Sequence, residues 1–217
     1  MITNFDNSNS IISEWIREIR DTTIQVDRMR FRRNLERLGE IAGYEISKTL
    51  QYEDVLVSTP LGETKCKILK KQPVIVSIMR AGLPLYNGLL NVFDKADSSF
   101  IGAYRKHSRK DDSFEIYQQY LTSPELSGRP LIIADPMLAT GASLNLAITT
   151  LVDYDLPSEI HVVTAIACSV GIDLLVRHFP NIHIWTGAID EELTAKGYIV
   201  PGLGDAGDLC FGNKRQS

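Results

Sequence analysis

The chain has 217 residues, a net charge of −4, 44% apolar residues and 23% charged residues. This length allows one α/β domain with a full core, and the negative charge argues against a general nucleic-acid binder. The polar N-terminus lacks a signal pattern, and no apolar run approaches membrane-spanning length. We predict a single domain over residues 1–217, with residues 1–20 as a partly flexible N-terminal extension and no membrane partner.

The three cysteines are far apart and odd in number. Such spacing favours free thiols in a reducing cytoplasm, so we expect a cytoplasmic protein. No spacing of cysteine and histidine residues is typical of a zinc site. The residues concerned are Cys66, Cys168 and Cys210.

Two amphipathic helices are predicted after a frayed segment at residues 1–10. Apolar residues recur at helical spacing at Ile12, Trp15, Ile16 and Ile19 in the first helix and at Phe31, Leu35, Leu38, Ala42 and Ile46 in the second. The second helix also carries a basic stripe of Arg28, Arg30, Arg32, Arg33 and Arg37. This stripe could meet an anionic effector or a partner subunit, but a solvated helix face is the favoured interpretation.

Strands and helices alternate from residue 73 onward, which is typical of a parallel sheet. Apolar runs predict strands at 73–79, 98–104, 131–134, 160–167 and 182–185, and helices at 83–93, 144–153 and 172–179. A turn is predicted at 59–62. The charged run 105–112 and a returning strand at 115–121 predict a mobile arm, either catalytic or a plain exposed hairpin. The fold class is therefore α/β, with a central, mostly parallel sheet flanked by helices.

The segment LIIADPMLATGASL at 131–144 combines a buried strand, an acidic residue, a small-residue loop and a helix start. Gly141 and the two alanines let backbone amides approach a phosphate closely, while Thr140 and Ser143 add hydroxyl donors. The dipole of the following helix favours an anion there. Asp135 only accepts hydrogen bonds when ionised, so it suits sugar hydroxyls. These residues describe a site for a ribose 5-phosphate.

An ordinary strand–helix turn with Ser143 as the helix N-cap explains the same loop equally well. The loop is not a Walker A motif, because no Gly-Lys-Ser/Thr follows it. The loop alone therefore leaves both interpretations open.

Three further segments carry a resemblance to a known family. YIVPGLGDAGD at 198–208 resembles the uracil-binding segment of the uracil phosphoribosyltransferases, and LIIADPMLATGAS resembles their loop for phosphoribosyl pyrophosphate (PRPP). Met79-Arg80-Ala81-Gly82 and Tyr104-Arg105 look like the family's two arginine sites. All four motifs occur in the family's order over residues 22–212. The resemblance implies a type I phosphoribosyltransferase fold with a β-arm and a small C-terminal hood.

The activity implied by the resemblance is transfer of the phosphoribosyl group of PRPP to N1 of uracil, giving UMP and pyrophosphate. The implied catalytic residues are Arg105, Asp135 and Asp205. The implied PRPP site contains Arg80, Arg105, Asp135, Pro136, Met137, Leu138, Ala139, Thr140, Gly141, Ala142, Ser143 and Asp205. The implied uracil site contains Tyr198, Ile199, Gly204, Asp205 and Ala206.

The resemblance also implies Mg²⁺ as a cofactor, bound mainly through PRPP with Asp205 as a further ligand. It implies GTP as an effector and a homodimer or higher homo-oligomer. No histidine lies in the four motifs, so no dedicated general base is predicted, and water or Asp205 would take the N1 proton.

Two positions depart from the family pattern. Ala142 stands where the family usually has glycine, and its methyl group is tolerable if φ is negative. Leu209 stands where the family usually has arginine, which removes a cation beside the base. A phosphoribosyltransferase for another base and a regulatory binder with the same fold but little activity are the alternatives. The uracil-like segment at 198–208 argues against a different base. Retention of Arg80, Arg105, Asp135 and Asp205 argues against a regulatory binder.

Overall fold

The chain forms a central sheet with helices on both faces. The computed structural model describes residues 1–107 and 114–214, with the backbone alone for residues 103–107 and 114–119. The first half contains β1 (Ile2–Asn4), a 3-10 helix (Phe5–Asn7), α1 (Ile11–Arg20), α2 (Arg28–Ser47), β2 (Tyr52–Thr59), β3 (Gly62–Leu69), β4 (Val74–Met79), α3 (Leu83–Val92) and β5 (Asp97–His107). The second half contains β6 (Phe114–Thr122), β7 (Pro130–Ala134), β8 (Met137–Leu138), α4 (Ala142–Tyr154), β9 (Glu159–Cys168), α5 (Ser169–His178), β10 (His183–Asp190), β11 (Glu192–Leu193), β12 (Ile199–Val200) and α6 (Ala206–Phe211).

The central sheet has the strand order β1-β10-β9-β7-β4-β5-β6, with the short strand β8 also paired to β9. Neighbouring strands are parallel except for the antiparallel pair β5–β6. The predicted mostly parallel sheet is therefore confirmed, as are the ten strands and helices inferred from apolar runs and spacing.

Two apolar layers cover the sheet, one on each face. Alternate residues of β4 point to opposite sides: Ile75 belongs to the layer formed with α1, α2 and α3, and Val76 to the layer formed with α4 and α5. Both side chains are fully buried. A parallel sheet buried on both faces requires such continuous apolar strands.

The first residues of the chain join the edge of the sheet. Ile2 pairs with Ile184 in a parallel ladder, and the N-terminal amine donates to the Ile182 carbonyl at 2.8 Å. Phe5 stacks on Trp185 with ring centroids 6.4 Å apart. Where the sequence predicts fraying over residues 1–10, the structure assigns a strand and a 3-10 helix to residues 2–7. Pairing with a strand far along the chain is a tertiary contact that local polarity does not signal.

Strands β2 and β3 form an antiparallel hairpin apart from the central sheet. Its tip is the predicted turn at 59–62, but the two strands were not predicted. Most of their residues are exposed, so no buried face marked them in the sequence. An isolated two-stranded ribbon is at best marginally stable in water.

The predicted arm corresponds to the antiparallel pair β5–β6. Residues 108–112 of the charged run, and with them the predicted mobility of the run, lie outside the described residues. Within the ranges that the structure describes, no helix has the length and apolar character needed to cross a membrane.

The basic stripe on α2 makes contacts within the chain. Arg30 pairs with Glu18, Arg33 with Glu36, Arg32 donates to the Cys210 carbonyl, and Arg37 lies over the Trp15 ring. The half-exposed pairs of Arg30 and Arg33 agree with the favoured interpretation of a solvated helix face, whereas Arg32 and Arg37 pack against neighbouring segments.

Candidate active site

The predicted motifs meet at the carboxyl edge of the parallel strands. Arg80 directly follows β4, and Asp135 directly follows β7, the strand paired with β4. The C-terminal segment follows β10 at the same edge. This edge is where open α/β sheets bind ligands.

A pocket lies in the loop between β7 and α4. Seven of its eight lining residues were predicted to bind PRPP, and the eighth, Leu144, lies in the first turn of α4. The complete lining is Asp135, Met137, Leu138, Ala139, Thr140, Gly141, Ser143 and Leu144. Pro136 and Ala142 do not line it. Instead, the Pro136 carbonyl accepts from the amides of Ala165 and Ile166 at 3.0 and 3.1 Å, which ties the loop to β9.

Helix α4 begins at Ala142 with Gly141 as its N-cap residue, so Ser143 lies in the first turn and the alternative of a Ser143 N-cap is wrong. Thr140 Oγ1 accepts from the Ala142 amide at 3.4 Å. Gly141 has φ of +80°, whereas no described residue other than glycine has a positive φ. The condition for tolerating the methyl group of Ala142 is thus met.

The same loop packs closely against the start of α5. A Cβ on Gly141 would lie 2.9 Å from the Gly171 carbonyl oxygen, and a Cβ on Gly171 would lie 2.4 Å from the Ala139 oxygen. Gly171 was not predicted as a site residue, because only the tertiary structure brings it to the loop. Its lack of a side chain lets the loop adopt its observed path.

Substitution of Gly171 by alanine is expected to distort the loop. Crowding of this kind costs about 1–3 kcal/mol of folding free energy, and PRPP affinity should fall roughly tenfold or more as the loop amides move. Calorimetric titration measures the PRPP affinity, and a thermal melt measures the loss of stability. Gly102→Ala is the matched control, because a Cβ there meets nothing closer than 3.4 Å. Unchanged PRPP affinity in folded Gly171→Ala would contradict the prediction.

Asp135 is half-buried and lines the pocket. Its Oδ1 accepts from the Met137 amide at 3.3 Å. This contact holds the carboxylate at the mouth of the loop, where an ionised acid can accept bonds from a sugar diol.

Arg80 connects the first arginine motif with the C-terminal segment. Its Nη2 donates to the Gly212 carbonyl at 3.1 Å and to Asp208 Oδ1 at 3.3 Å. Its side chain is 41% exposed, and its peptide bond to Met79 is cis. Gly82 packs on the neighbouring strand, since a Cβ there would lie 2.3 Å from the Ala134 oxygen. The arginine motif and the Asp135 loop are therefore adjacent.

The C-terminal segment forms the predicted hood, consisting of the pair β11–β12 and helix α6. Ile199 is buried in the core, Tyr198 is 44% exposed, and Gly204 has φ of +94° with open space where a Cβ would stand. Ala206 is buried at the start of α6. Because the Ile199 side chain points into the core, this residue can contact a base only through its backbone.

Asp205 is the N-cap of α6. Its Oδ1 accepts from the Asp208 amide at 3.0 Å, and its Oδ2 lies 3.4 Å from Lys214 Nζ. A Cβ on Gly207 would lie 3.9 Å from the Ala81 Cβ, so the hood borders the arginine motif. A helix cap and a ligand contact are compatible roles for one carboxylate, since each of its oxygens accepts separately.

Leu209 is partly buried and packs against the core. The positive charge beside Asp205 comes instead from Lys214, which the sequence did not single out. Lys214 also donates its backbone amide to Asp208 Oδ1 at 3.2 Å. A cation therefore lies beside Asp205 although position 209 is apolar.

Among the described groups, neither His161 nor His183 nor the Cys210 thiol offers a base at the hood. His161 and His183 lie at the amino ends of β9 and β10, opposite the site, and burial lowers the pKa of His183. Burial raises the pKa of the Cys210 thiol to about 12, so it is neutral at physiological pH. All three cysteines are free.

Arg105 lies on β5, three residues beyond Gly102, which pairs with Met79 at the end of β4. Its backbone therefore extends past the carboxyl edge of the sheet. Its side chain lies outside the described part of the structure, so its role remains a prediction, as does that of Tyr104.

The sheet order, the loop at the start of α4, the arm and the hood define a type I phosphoribosyltransferase. A model of the uracil phosphoribosyltransferase family matches residues 7–213. The uracil phosphoribosyltransferase of Porphyromonas gingivalis is 45% identical over 95% of each chain, and that of Pyrococcus furiosus is 39% identical over 97% of this chain and 90% of the relative. The AQ2163 protein of Aquifex aeolicus superposes with a TM-score of 0.87 at 33% identity over 98% of each chain. The chain belongs to the uracil phosphoribosyltransferase family.

Proposed function

We propose that this protein transfers the phosphoribosyl group of PRPP to N1 of uracil, giving UMP and pyrophosphate in pyrimidine salvage. The observation that carries the proposal is the packing of the Asp135–Ser143 loop, the Arg80–Gly82 motif and the hood at one sheet edge. Membership of the family and the match over residues 7–213 support the same activity.

The reaction breaks the bond between C1 of the ribose and pyrophosphate and forms a bond from C1 to N1 of uracil. Positive charge develops at C1 and negative charge on the leaving group, so positioning and charge stabilisation supply most of the catalysis. In this proposal the loop and the start of α4 hold the 5-phosphate, and Asp135 holds the ribose diol. The backbone of Ile199 and of Gly204–Ala206 reads the base edge.

The N1 proton of uracil leaves to water or to Asp205. Uracil N1 is acidic enough to need no strong base. The positions of His161 and His183 at the opposite end of the sheet and the raised pKa of Cys210 support this route.

We expect Mg²⁺ to enter mainly with the diphosphate of PRPP, with Asp205 as a further ligand. No group of three or more His, Cys, Asp or Glu residues in the described ranges could hold a metal ion alone. Mg²⁺ commonly binds through substrate phosphates and one or two carboxylates. A single carboxylate such as Asp205 therefore fits an ion that the substrate brings. When bound, it would offset negative charge on the pyrophosphate.

Arg80 is proposed to bind the pyrophosphate. Arg80→Lys keeps the charge but loses the planar fork, so kcat/KM should fall roughly tenfold and pyrophosphate inhibition should weaken. The melting temperature should change little, because exposed ion pairs such as Arg80–Asp208 contribute little stability. Arg33→Lys, on a surface pair of α2, is the control. A large fall in melting temperature with normal kinetics would identify Arg80 as a structural residue.

A homodimer or higher homo-oligomer is expected. On the β2–β3 hairpin, Leu56, Leu61 and Ile68 are 64, 100 and 45% exposed. A second copy of the chain would cover these apolar side chains and stabilise a two-stranded ribbon that is only marginally stable alone. Sedimentation of the purified protein measures the state. GTP as an effector stays a prediction from the resemblance, tested by rates with and without GTP.

The activity itself is tested by incubating the purified protein with PRPP, Mg²⁺ and uracil and measuring UMP and pyrophosphate. Formation of both in equal amounts is the expected result. PRPP binding without turnover of any base would favour the regulatory binder, and turnover of another base alone would favour a different phosphoribosyltransferase.

A further inference from the structure

An ion pair joins the end of α1 to the end of β10. Arg20 Nη1 lies 2.8 Å from Asp190 Oδ2, and Arg20 Nη2 lies 2.9 Å from Asp190 Oδ1. The two side chains are 23 and 8% exposed. Two parallel charge-assisted bonds fix the relative orientation of the two groups as well as their distance.

Both members of the pair also bind Gly202, which lies in the hood. The Gly202 amide donates to Asp190 Oδ2 at 2.9 Å, and Arg20 Nη1 donates to the Gly202 carbonyl at 3.1 Å. Gly202 is buried, so an unpaired polar group there would cost free energy. The ion pair therefore satisfies both backbone groups of one residue.

The position of Gly202 gives these bonds a functional consequence. It lies between Ile199 and Gly204, whose backbones are proposed to read uracil, and its φ of +56° turns the chain sharply. The buried side chains of Ile199 and Leu203 hold the loop against the core, but apolar packing is not directional. The β11–β12 ladder holds Ile199 and Val200 but does not reach Gly202. Hydrogen bonds are directional, so the bonds from the Arg20–Asp190 pair orient the two peptide planes at Gly202.

We propose that Arg20 and Asp190 are positioning residues for the nucleobase, which they orient through Gly202. This inference rests on the proposed function, because it assumes that the hood binds the base. The carbonyl of Arg20 accepts from Gln25 Nε2 at 3.0 Å, which fixes the end of α1. Stability alone explains the pair poorly, since a buried ion pair often contributes no more than apolar residues of similar volume.

The decisive variant replaces both members, Arg20→Met with Asp190→Leu, because an apolar pair can keep the fold while removing every bond to Gly202. Arg20→Lys keeps the positive charge but loses the planar guanidinium group that makes two parallel bonds. It replaces the double variant in the test if the double variant does not fold. Arg17→Lys is the matched control, since Arg17 lies on the same helix in an exposed pair with Glu14.

We expect KM for uracil to rise about tenfold or more in the double variant and in Arg20→Lys. The ratio of kcat/KM for uracil to that for cytosine should fall by a similar factor, while the Kd for PRPP from calorimetry stays within about twofold of wild type. Arg17→Lys should match wild type in the uracil KM, the uracil-to-cytosine ratio and the PRPP Kd. Of the two rises, that in Arg20→Lys should be the smaller, because lysine keeps a positive charge beside Asp190.

A lowered melting temperature with unchanged uracil KM and unchanged base ratio would show a purely structural pair and overturn the inference alone. An equal loss of PRPP and uracil affinity would overturn it too, because the effect would then not be specific to the base. Wild-type protein that binds PRPP but does not convert uracil would overturn the proposed function and this inference together.

Discussion

Asp135→Asn is expected to weaken PRPP binding by about 1.5–3 kcal/mol, the usual contribution of a hydrogen bond to a charged group. This corresponds to roughly 10- to 150-fold in Kd. Asparagine keeps the size of the side chain and an oxygen for the Met137 amide, so the fold should remain. What it loses is the charge-assisted acceptor for the ribose diol.

Calorimetric titration of the folded variant with PRPP measures this effect. Asp153→Asn is the matched control, because Asp153 is an exposed residue near the far end of α4. It should bind PRPP as wild type does. If Asp135→Asn also retained full affinity, Asp135 would have no place in the PRPP site.

Uracil should be preferred over cytosine by roughly a hundredfold or more in kcat/KM. Uracil presents an acceptor at O4 and a donor at N3, whereas cytosine presents a donor and an acceptor at these positions. Backbone groups matched to uracil would therefore leave two buried polar groups unpaired with cytosine, at about 1–3 kcal/mol each. Each 1.4 kcal/mol corresponds to tenfold, so a hundredfold preference needs about 2.8 kcal/mol, just above the lower end of the range of about 2–6 kcal/mol for two mismatches.

Initial rates with PRPP and Mg²⁺ against uracil, cytosine, 5-fluorouracil and hypoxanthine test this preference. 5-Fluorouracil has the same hydrogen-bonding edge and should be accepted, while hypoxanthine should fail for lack of room. Ile199→Val should preserve the preference, because the buried side chain of Ile199 faces the core. Comparable turnover of cytosine, or a preference for hypoxanthine, would contradict the assignment of uracil as the substrate base and would support the PRPP site alone.

The sequence determined the main layers of the fold and the location of the phosphate loop. Apolar runs such as 73–79 and 131–134 are too short for typical helices, so they indicate strands buried on both faces of a sheet. Helical spacing marked the residues of α2 and α4 that face it. The order of strand, acid, small residues and helix identified the loop, because backbone approach and helix dipole are local properties of that segment.

The tertiary structure decided the contacts between distant segments. Strand β1 depends on pairing with β10, Gly171 matters because it meets the loop before α4, and Lys214 brings a positive charge to Asp205. Arg20 and Asp190 are separated by 170 residues, and neither stands in a recognisable motif. Their connection through Gly202 depends on how the hood packs on the sheet, which no local pattern of residues encodes.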